Sequence, residues 1–388
     1  MTRVPIIGLF SGAGGLEIGA TLAGGDVRLS VELDRIACET LRLNPTFHSG
    51  NVLEGDVSKL DGRSLRKLAG LSRRDACILV GGPPCQPFSK SSYWTDSGAD
   101  SRYRRARSRG ESSIPKPPQV TEARPDDRRS LVQEYLRLIV ESDAQGFLFE
   151  NVTSISHPRN KIVLDQFIEE AQNAKFQTVL LKANAADYGV PQKRHRIVVL
   201  GLRGAKPLLP TATHSENATG DLFNLPYVTV GEALADLSSD QYFESGEVVT
   251  GRYAKELLAV PPGQNYKALS AWAGHPNPVF EAETRFWNFL LKLDPNLPSW
   301  TIQATPGPWV GPFHWESRRL RTVELAALQT FPREYTFAGT RRDKIRQIGN
   351  AVPALMAQRI IEPLVSTLMG GSSSHSRKSS RKRVPCDT

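Results

Sequence analysis

Apolar residues in the first two hundred positions come in short runs, separated by stretches with helical spacing. Val4 to Phe10 and Val27 to Leu33 read as buried strands, and Ala76 to Val80 as a third that ends in Gly81-Gly82. Phe147 to Phe149 and Ile197 to Leu200 are further strand cores. Between Asp34, a good helix cap, and Pro45 lies a helix pattern with Ile36, Leu41 and Leu43. From Leu131 to Ala144 the apolar positions Leu131, Val132, Tyr135, Leu136, Leu138 and Ile139 again follow helical spacing. Strands alternating with helices predict a mostly parallel sheet covered on both faces. Ligands of such sheets bind at the carboxyl ends of the strands, so the chemistry belongs in the loops that follow them.

The alternation breaks from Ser91 to Pro125, a polar segment with Arg102, Arg104, Arg105, Arg107 and Arg109, followed by Pro115, Pro117 and Pro118. It reads as a long basic loop. A solvated linker is one reading and a phosphate-contacting arm the other; its place just after a candidate active site favours the arm. From Leu202 to Ser317 the strands are short and prolines frequent, and Trp272, Trp287, Trp300, Trp309 and Trp315 cluster there. That region predicts a separate, smaller, irregular domain in which most tryptophans pack in a core and one or two contact a sugar-phosphate backbone. Helical periodicity returns from Val352 to Leu368, and a Ser/Lys/Arg tail follows Gly370-Gly371. The expected organisation is a catalytic and cofactor-binding domain over 1–201 with the basic loop at 91–125, and a second domain over 202–343. Residues 344–369 return to the first domain, and 370–388 form a basic flexible tail.

With 39% hydrophobic and 23% charged residues, the 388-residue chain can bury a sizeable core. Its net charge of +9 makes nucleic acid the first candidate partner. There is no apolar run of 18 residues, so no transmembrane helix is expected, and the N-terminus lacks the pattern of a secretory signal. Cys38, Cys77, Cys85 and Cys386 include no closely spaced pair. A reducing cytoplasm, no metal site and a free thiol are therefore expected.

The first strand runs into Phe10-Ser11-Gly12-Ala13-Gly14-Gly15-Leu16-Glu17. Glycines there let backbone approach a ligand closely, but Glu17 stands where a dinucleotide fingerprint needs its third glycine. Glu32 ends the second strand, where a carboxylate can accept from two ribose hydroxyls. In the next loop Asp56 can take an adenine amino group while Val57 packs on the ring. Each alone is more often a cap or turn residue; three in chain order point to an adenosyl cofactor. Cys85 sits in Gly81-Gly82-Pro83-Pro84-Cys85-Gln86-Pro87, where flanking prolines and glycines argue for an exposed, rigidly held thiol.

Here the chain resembles the C5-cytosine DNA methyltransferases. Pro84-Cys85-Gln86 is similar to their nucleophile motif, Phe149-Glu150-Asn151-Val152 to their Glu-Asn-Val motif, and Gln192-Lys193-Arg194-His195-Arg196 to their Gln-x-Arg-x-Arg motif. Arg319 to Pro332 resembles the motif that braces the recognition domain (318–332 in the expected organisation), and Gln347 to Pro353 the closing motif that returns to the cofactor pocket. The ordered set spans residues 4 to about 368. Two departures stand out. Gly8 occupies a position that is often acidic in the family, and the loop from Ser89 to Asp127 is longer than in compact members.

The resemblance implies an S-adenosylmethionine-dependent, Rossmann-like α/β domain with a smaller target-recognition domain. It implies a methyl transfer to carbon 5 of a flipped-out cytosine in double-stranded DNA, and protection from a cognate restriction endonuclease without a stable complex. Cys85 is then the nucleophile toward carbon 6. Glu150 bonds N3 and the exocyclic amine, a salt bridge to a neighbouring arginine being the plainer reading. Arg196 donates to O2, while Arg194 orients the loop or contacts phosphate. Phe10, Gly12, Gly14, Leu16, Glu32, Asp56, Val57, Pro84, Asn350 and Val352 form the cofactor site. A monomer with no membrane association is expected. An RNA cytosine methyltransferase is disfavoured because a Cys-Phe-Thr tripeptide is missing from the recognition region. An inactive DNA-binding relative is disfavoured because Cys85, Glu150 and the glycine loop are all present.

Overall fold

The computed structural model describes residues 3–88, 102–103, 106, 111, 115, 126–218, 224–280 and 286–375, the last five as backbone alone. Of the loop arginines only Arg102 falls within them, and it is exposed; Arg104, Arg105, Arg107 and Arg109 lie outside, as does the tail beyond 375. The sequence-predicted strands and helices are present. They are β1 (Val4–Leu9), α1 (Gly15–Leu22), β2 (Gly25–Glu32), α2 (Arg35–Leu43), β3 (Asn51–Glu54), α3 (Gly62–Leu68), β4 (Ile78–Gly81), α4 (Leu131–Glu141) and β5 (Gly146–Val152). Then follow α5 (Lys161–Asn173), β6 (Phe176–Asn184), β7 (Gln192–Lys193) and β8 (His195–Arg203).

Seven strands form one sheet in the order β3-β2-β1-β4-β5-β8-β6. The pairs from β3 to β5 are parallel, and β8 enters antiparallel between β5 and β6. The hydrophobic runs fit this plan because successive side chains point to opposite faces. Ile7, Leu79, Phe147 and Phe149 join a core under α4 and α5, with Tyr135 and Phe167. Ile6, Val80, Leu148 and Leu200 join a second core, with Met356, Ile360 and Leu364 of the last helix. Two strands escaped the hydrophobic pattern. Both β3 and β6 are edges with exposed positions, and their apolar stretches, Val52-Leu53 and Val179 to Leu181, are short.

Beyond β8 regular structure is sparse until three helices, α6 (Thr322–Leu328), α7 (Arg341–Asn350) and α8 (Ala354–His375). A separate small core of Leu257, Tyr266, Leu269, Phe289, Leu290 and Phe313 lies within the irregular region. A third core joins Ala13, Ile18 and Phe47 to Leu325, Leu328, Phe331 and Ile348, so α6 and α7 pack on the start of the chain. The tryptophans divide differently from expectation. Trp309 and Trp315 pack against cores, whereas Trp272, Trp287 and Trp300 are exposed. No helix among the described residues is long and apolar enough to cross a membrane.

Candidate active site

A cavity of about 510 Å³ opens at the carboxyl ends of β1, β2, β4 and β5, the size of a small-molecule site. At its floor β1 turns sharply into α1. Phe10 holds φ 56° and Gly12 and Gly14 hold φ 53° and 80°. A side chain bearing a Cβ pays for such a conformation, so the strain at Phe10 marks an over-determined turn. Its ring is fixed edge-on to Tyr135, centroids 6.2 Å apart. Gly12, Leu16 and Phe10 face the cavity, while Gly14 does not: a Cβ there would meet His48 and Leu41 instead. Gly14 is thus the left-handed cap of α1 rather than a ligand contact.

Glu32 fastens this turn to the second strand. Its Oε2 accepts from Gly12 N at 2.7 Å, and its Oε1 from Leu33 N and Asp34 N at 2.8 Å each. Three donors fix the carboxylate but leave acceptor capacity toward the cavity. Asp56 caps the short turn Val57–Lys59, its Oδ1 accepting from Ser58 N and Oγ at 3.0 and 2.8 Å. Those bonds hold its pKa below the usual value. The capping reading and the cofactor reading therefore coexist at Asp56, which also lines the cavity beside the buried Val57.

The far wall carries Pro84, Cys85, Glu150, Arg194 and Arg196. Cys85 is half-buried rather than exposed, since Gln86–Phe88 folds back as a turn with Phe88 N on Cys85 O at 3.0 Å. Burial pushes its thiol pKa up, and Glu150 adds to that; Arg196 and Arg194 pull the other way. Asn151 Nδ2 donates to Pro83 O at 3.1 Å, tying the cysteine loop to the end of β5. Glu150 Oε1 stands 2.7 Å from Arg196 Nε, which realises the plainer salt-bridge reading within the cavity. Gly82 leaves room for this carboxylate, because a Cβ would lie 3.1 Å from Glu150 Oε2.

Arg194 is fully buried and donates to Gly349 O at 3.1 Å and Ile302 O at 3.4 Å. Burial and the nearby Arg196 lower its pKa to about 9. A guanidinium held so deeply orients its loop; of its two expected roles, phosphate contact is the one this geometry removes. Its neighbours form a chain of amides. Gln192 Nε2 donates to Leu328 O and to Gln329 Oε1 at 3.1 and 3.0 Å, and Gln329 Nε2 donates to Ile348 O at 2.7 Å. The bracing helix, the arginine loop and the closing segment are thereby one network. Asn350 and Val352 complete the cavity, where a Cβ on Gly15 would overlap Val352 O.

Sequence reasoning missed Arg346, Leu33, Ser11 and Gln86 of the lining. Arg346 pairs with Asp34 across the mouth, a contact between residues 312 positions apart that no local signal announces. Arg318 grips buried Glu324 through both Nη atoms at 2.8 and 2.7 Å, which is the bracing motif's own anchor.

The family model for C-5 cytosine-specific DNA methylase matches residues 4–104 and 121–366. The type II methyltransferase M.SacI of Streptomyces achromogenes is 36% identical over 94% of this chain and 94% of its own. M1.HphI of Haemophilus parahaemolyticus is 29% identical over 92% and 86%. Among solved structures, a DNA modification methyltransferase encoded within an E. coli prophage aligns with TM-score 0.66 at 22% identity, over 95% of this chain and 100% of that one. The S. pombe Dnmt2 methyltransferase follows at 0.56 and 15%, over 95% and 99%. Sequence match and cavity agree: the chain belongs to the C-5 cytosine-specific DNA methylase family and is a DNA cytosine methyltransferase with S-adenosylmethionine as methyl donor.

Proposed function

We propose that the chain methylates carbon 5 of a cytosine extruded from a specific duplex sequence, through a covalent bond from Cys85 to carbon 6. One observation carries this: Cys85 and the Glu150–Arg196 pair line the same cavity as Glu32 and Asp56, so base and donor meet in one chamber. The residues present suit the donor. Glu32 and Asp56 offer carboxylate oxygens to ribose and adenine, and Phe10, Leu16, Val57, Pro84 and Val352 offer apolar walls, with Gly12 and Asn350 also in the lining. When bound, S-adenosylmethionine supplies an electrophilic methyl group.

The chain's own groups do the rest. Cys85 loses its proton and its sulfur bonds carbon 6, moving the ring's electron pair toward carbon 5 and N3. Glu150 hydrogen-bonds N3 and the exocyclic amine, and Arg196, already aligned by Glu150, meets charge at O2. After transfer water takes the carbon 5 proton, its bonding pair re-forms the double bond between carbons 5 and 6, and the carbon–sulfur pair returns to Cys85. Arg194 keeps this loop in register.

A cytosine inside a duplex cannot reach this cavity, so the base must rotate out. Residues 202–343 are the recognition region in this reading, with 1–201 and 344–369 the catalytic body. A cation–aromatic edge supports duplex docking. Trp300 lies in backbone register with Lys193 beside the arginine loop, Trp287 lies 5.8 Å from Trp300, and Lys267 Nζ lies 5.6 and 5.9 Å from the Trp272 and Trp287 rings. The protein acts as a cytoplasmic monomer and shields DNA from a partner endonuclease. Bisulfite sequencing of a random-sequence plasmid library, after exposure to protein and donor, tests the reading. Conversion-resistant cytosines confined to one sequence are expected; uniform conversion overturns it.

A further inference from the structure

Glu17 lies in the first turn of α1, is 1% exposed and makes no ion pair among the described residues. Its side chain fills the space beside Gly8 in β1. A Cβ at Gly8 would stand 2.7 Å from Glu17 Cδ and 2.9 Å from Cγ and would overlap Oε1. Glycine at position 8 and glutamate at position 17 are thus one fitted pair. The register sets Ser30 of β2 beside Gly8. Glu17 Oε2, Ser11 Oγ and Ser30 Oγ are all buried without a hydrogen-bond partner among the described residues.

An apolar side chain of the same shape would cost less to bury here, since a buried carboxyl with an unpaired oxygen forfeits its hydration. Glu17 does not line the cavity. It lies behind the turn formed by Phe10, Ser11, Gly12 and Gly15, which does. We propose that the Glu17 carboxyl, seated over Gly8, is a positioning residue that holds this turn in the shape receiving the methyl donor, and that it works as a neutral acid. This rests on the donor reading of the cavity.

Burial pushes the Glu17 pKa up to about 7, with Glu32 adding to the rise and the Ser11 hydroxyl opposing it. The other titratable groups that feel its charge are the phenols of Tyr135 and Tyr335, both held well above their ordinary pKa by burial. His48, next to the same turn, has its pKa lowered to about 4 by burial and stays neutral near pH 7. Ionisation of Glu17 therefore places an unpaired charge behind the turn as pH rises through about 7, and donor affinity falls.

Calorimetry of S-adenosylmethionine and of S-adenosylhomocysteine binding to the full chain, without DNA, reads this directly. Glu17→Ala should weaken both ligands about tenfold at pH 6.5, because the turn loses the side chain packed over Gly8. Glu17→Gln should match the wild type at pH 6.5 and lack its decline toward pH 8. Gly8→Ala should weaken binding with Glu17 intact, and Gly8→Ala with Glu17→Ala should be no worse than Glu17→Ala alone. Unchanged affinity in Glu17→Ala, or additive losses in the double variant, overturns the proposal. A pH decline that persists in Glu17→Gln overturns the neutral-acid role. If the wild type binds neither ligand, the donor reading itself fails; if it binds both and the variants match it, only the role of Glu17 fails.

Discussion

At Cys85 two electrostatic influences oppose each other within one cavity wall. Burial and Glu150 hold the thiol protonated, while Arg196 and Arg194 favour the thiolate. The net shift is upward, so the reactive form grows as pH rises above neutrality. Trapping with DNA carrying 5-fluorocytosine should therefore accelerate from pH 7 to pH 9, read as denaturation-resistant adduct on a gel. Cys85→Ala should form no adduct and transfer no methyl group while melting within about 1 kcal/mol of the wild type, because the residue is in a loop and only half-buried. Glu32 works differently, by position more than by reactivity. Glu32→Ala releases Gly12 N, Leu33 N and Asp34 N together and removes the proposed ribose acceptor. Donor affinity should fall by about 1–3 kcal/mol in calorimetry, and an unchanged value would remove Glu32 from the donor site.

Among the elements, the segment leading into α6 shows how that helix is tied to the irregular region before it. Arg321 is buried, pairs with Glu247 through Nε and Nη2, and donates to Leu237 O and Ser239 O at 2.9 and 2.8 Å. Arg321→Ala strands the Glu247 carboxylate in the interior. It should cost about 3–5 kcal/mol in urea unfolding, the range for a broken buried pair, and a loss under 1 kcal/mol would mean water reaches Glu247. The central strands, α2 and the residues around Cys85 and Glu150 were legible because their signals are local: an apolar run, a capping Asp34, a proline-bracketed thiol. What stayed hidden depends on distant partners. Arg194 could not be separated from a phosphate contact, because the carbonyls it binds belong to Ile302 and Gly349. Glu17 served in the sequence only to exclude a dinucleotide motif, since its fit to Gly8 exists only once α1 lies on β1. The edge strands β3 and β6 carry too few buried positions to mark themselves.

For the whole molecule, three buried groups bear on stability toward acid, alongside His214, whose pKa burial also lowers, and the depressed carboxyls of Glu232 and Glu247. Burial lowers the pKa of His48 to about 4 and that of His314 to about 3, whereas Glu17 rises to about 7. Between about pH 4.5 and 6.5 the unfolded chain binds two histidine protons that the folded chain refuses, and releases one from glutamate that the folded chain keeps. From these three groups unfolding takes up one net proton, and stability should fall by about 1.4 kcal/mol or more per pH unit of acidification in that window. Urea midpoints across the window check this, and a flat profile would mean the histidines are charged in the folded state. Removing the opposing group with Glu17→Gln should steepen the slope. The closing segment has a consequence of another kind. Val352 meets Gly15, and α8 packs on α1, so the donor chamber is built from parts of the chain separated by more than three hundred residues. During translation the floor of the chamber emerges early and its lid late. A nascent chain shorter than about residue 352 carries Cys85 without the last wall of the cavity and should not bind S-adenosylmethionine, which calorimetry on a chain truncated before Val352 would check.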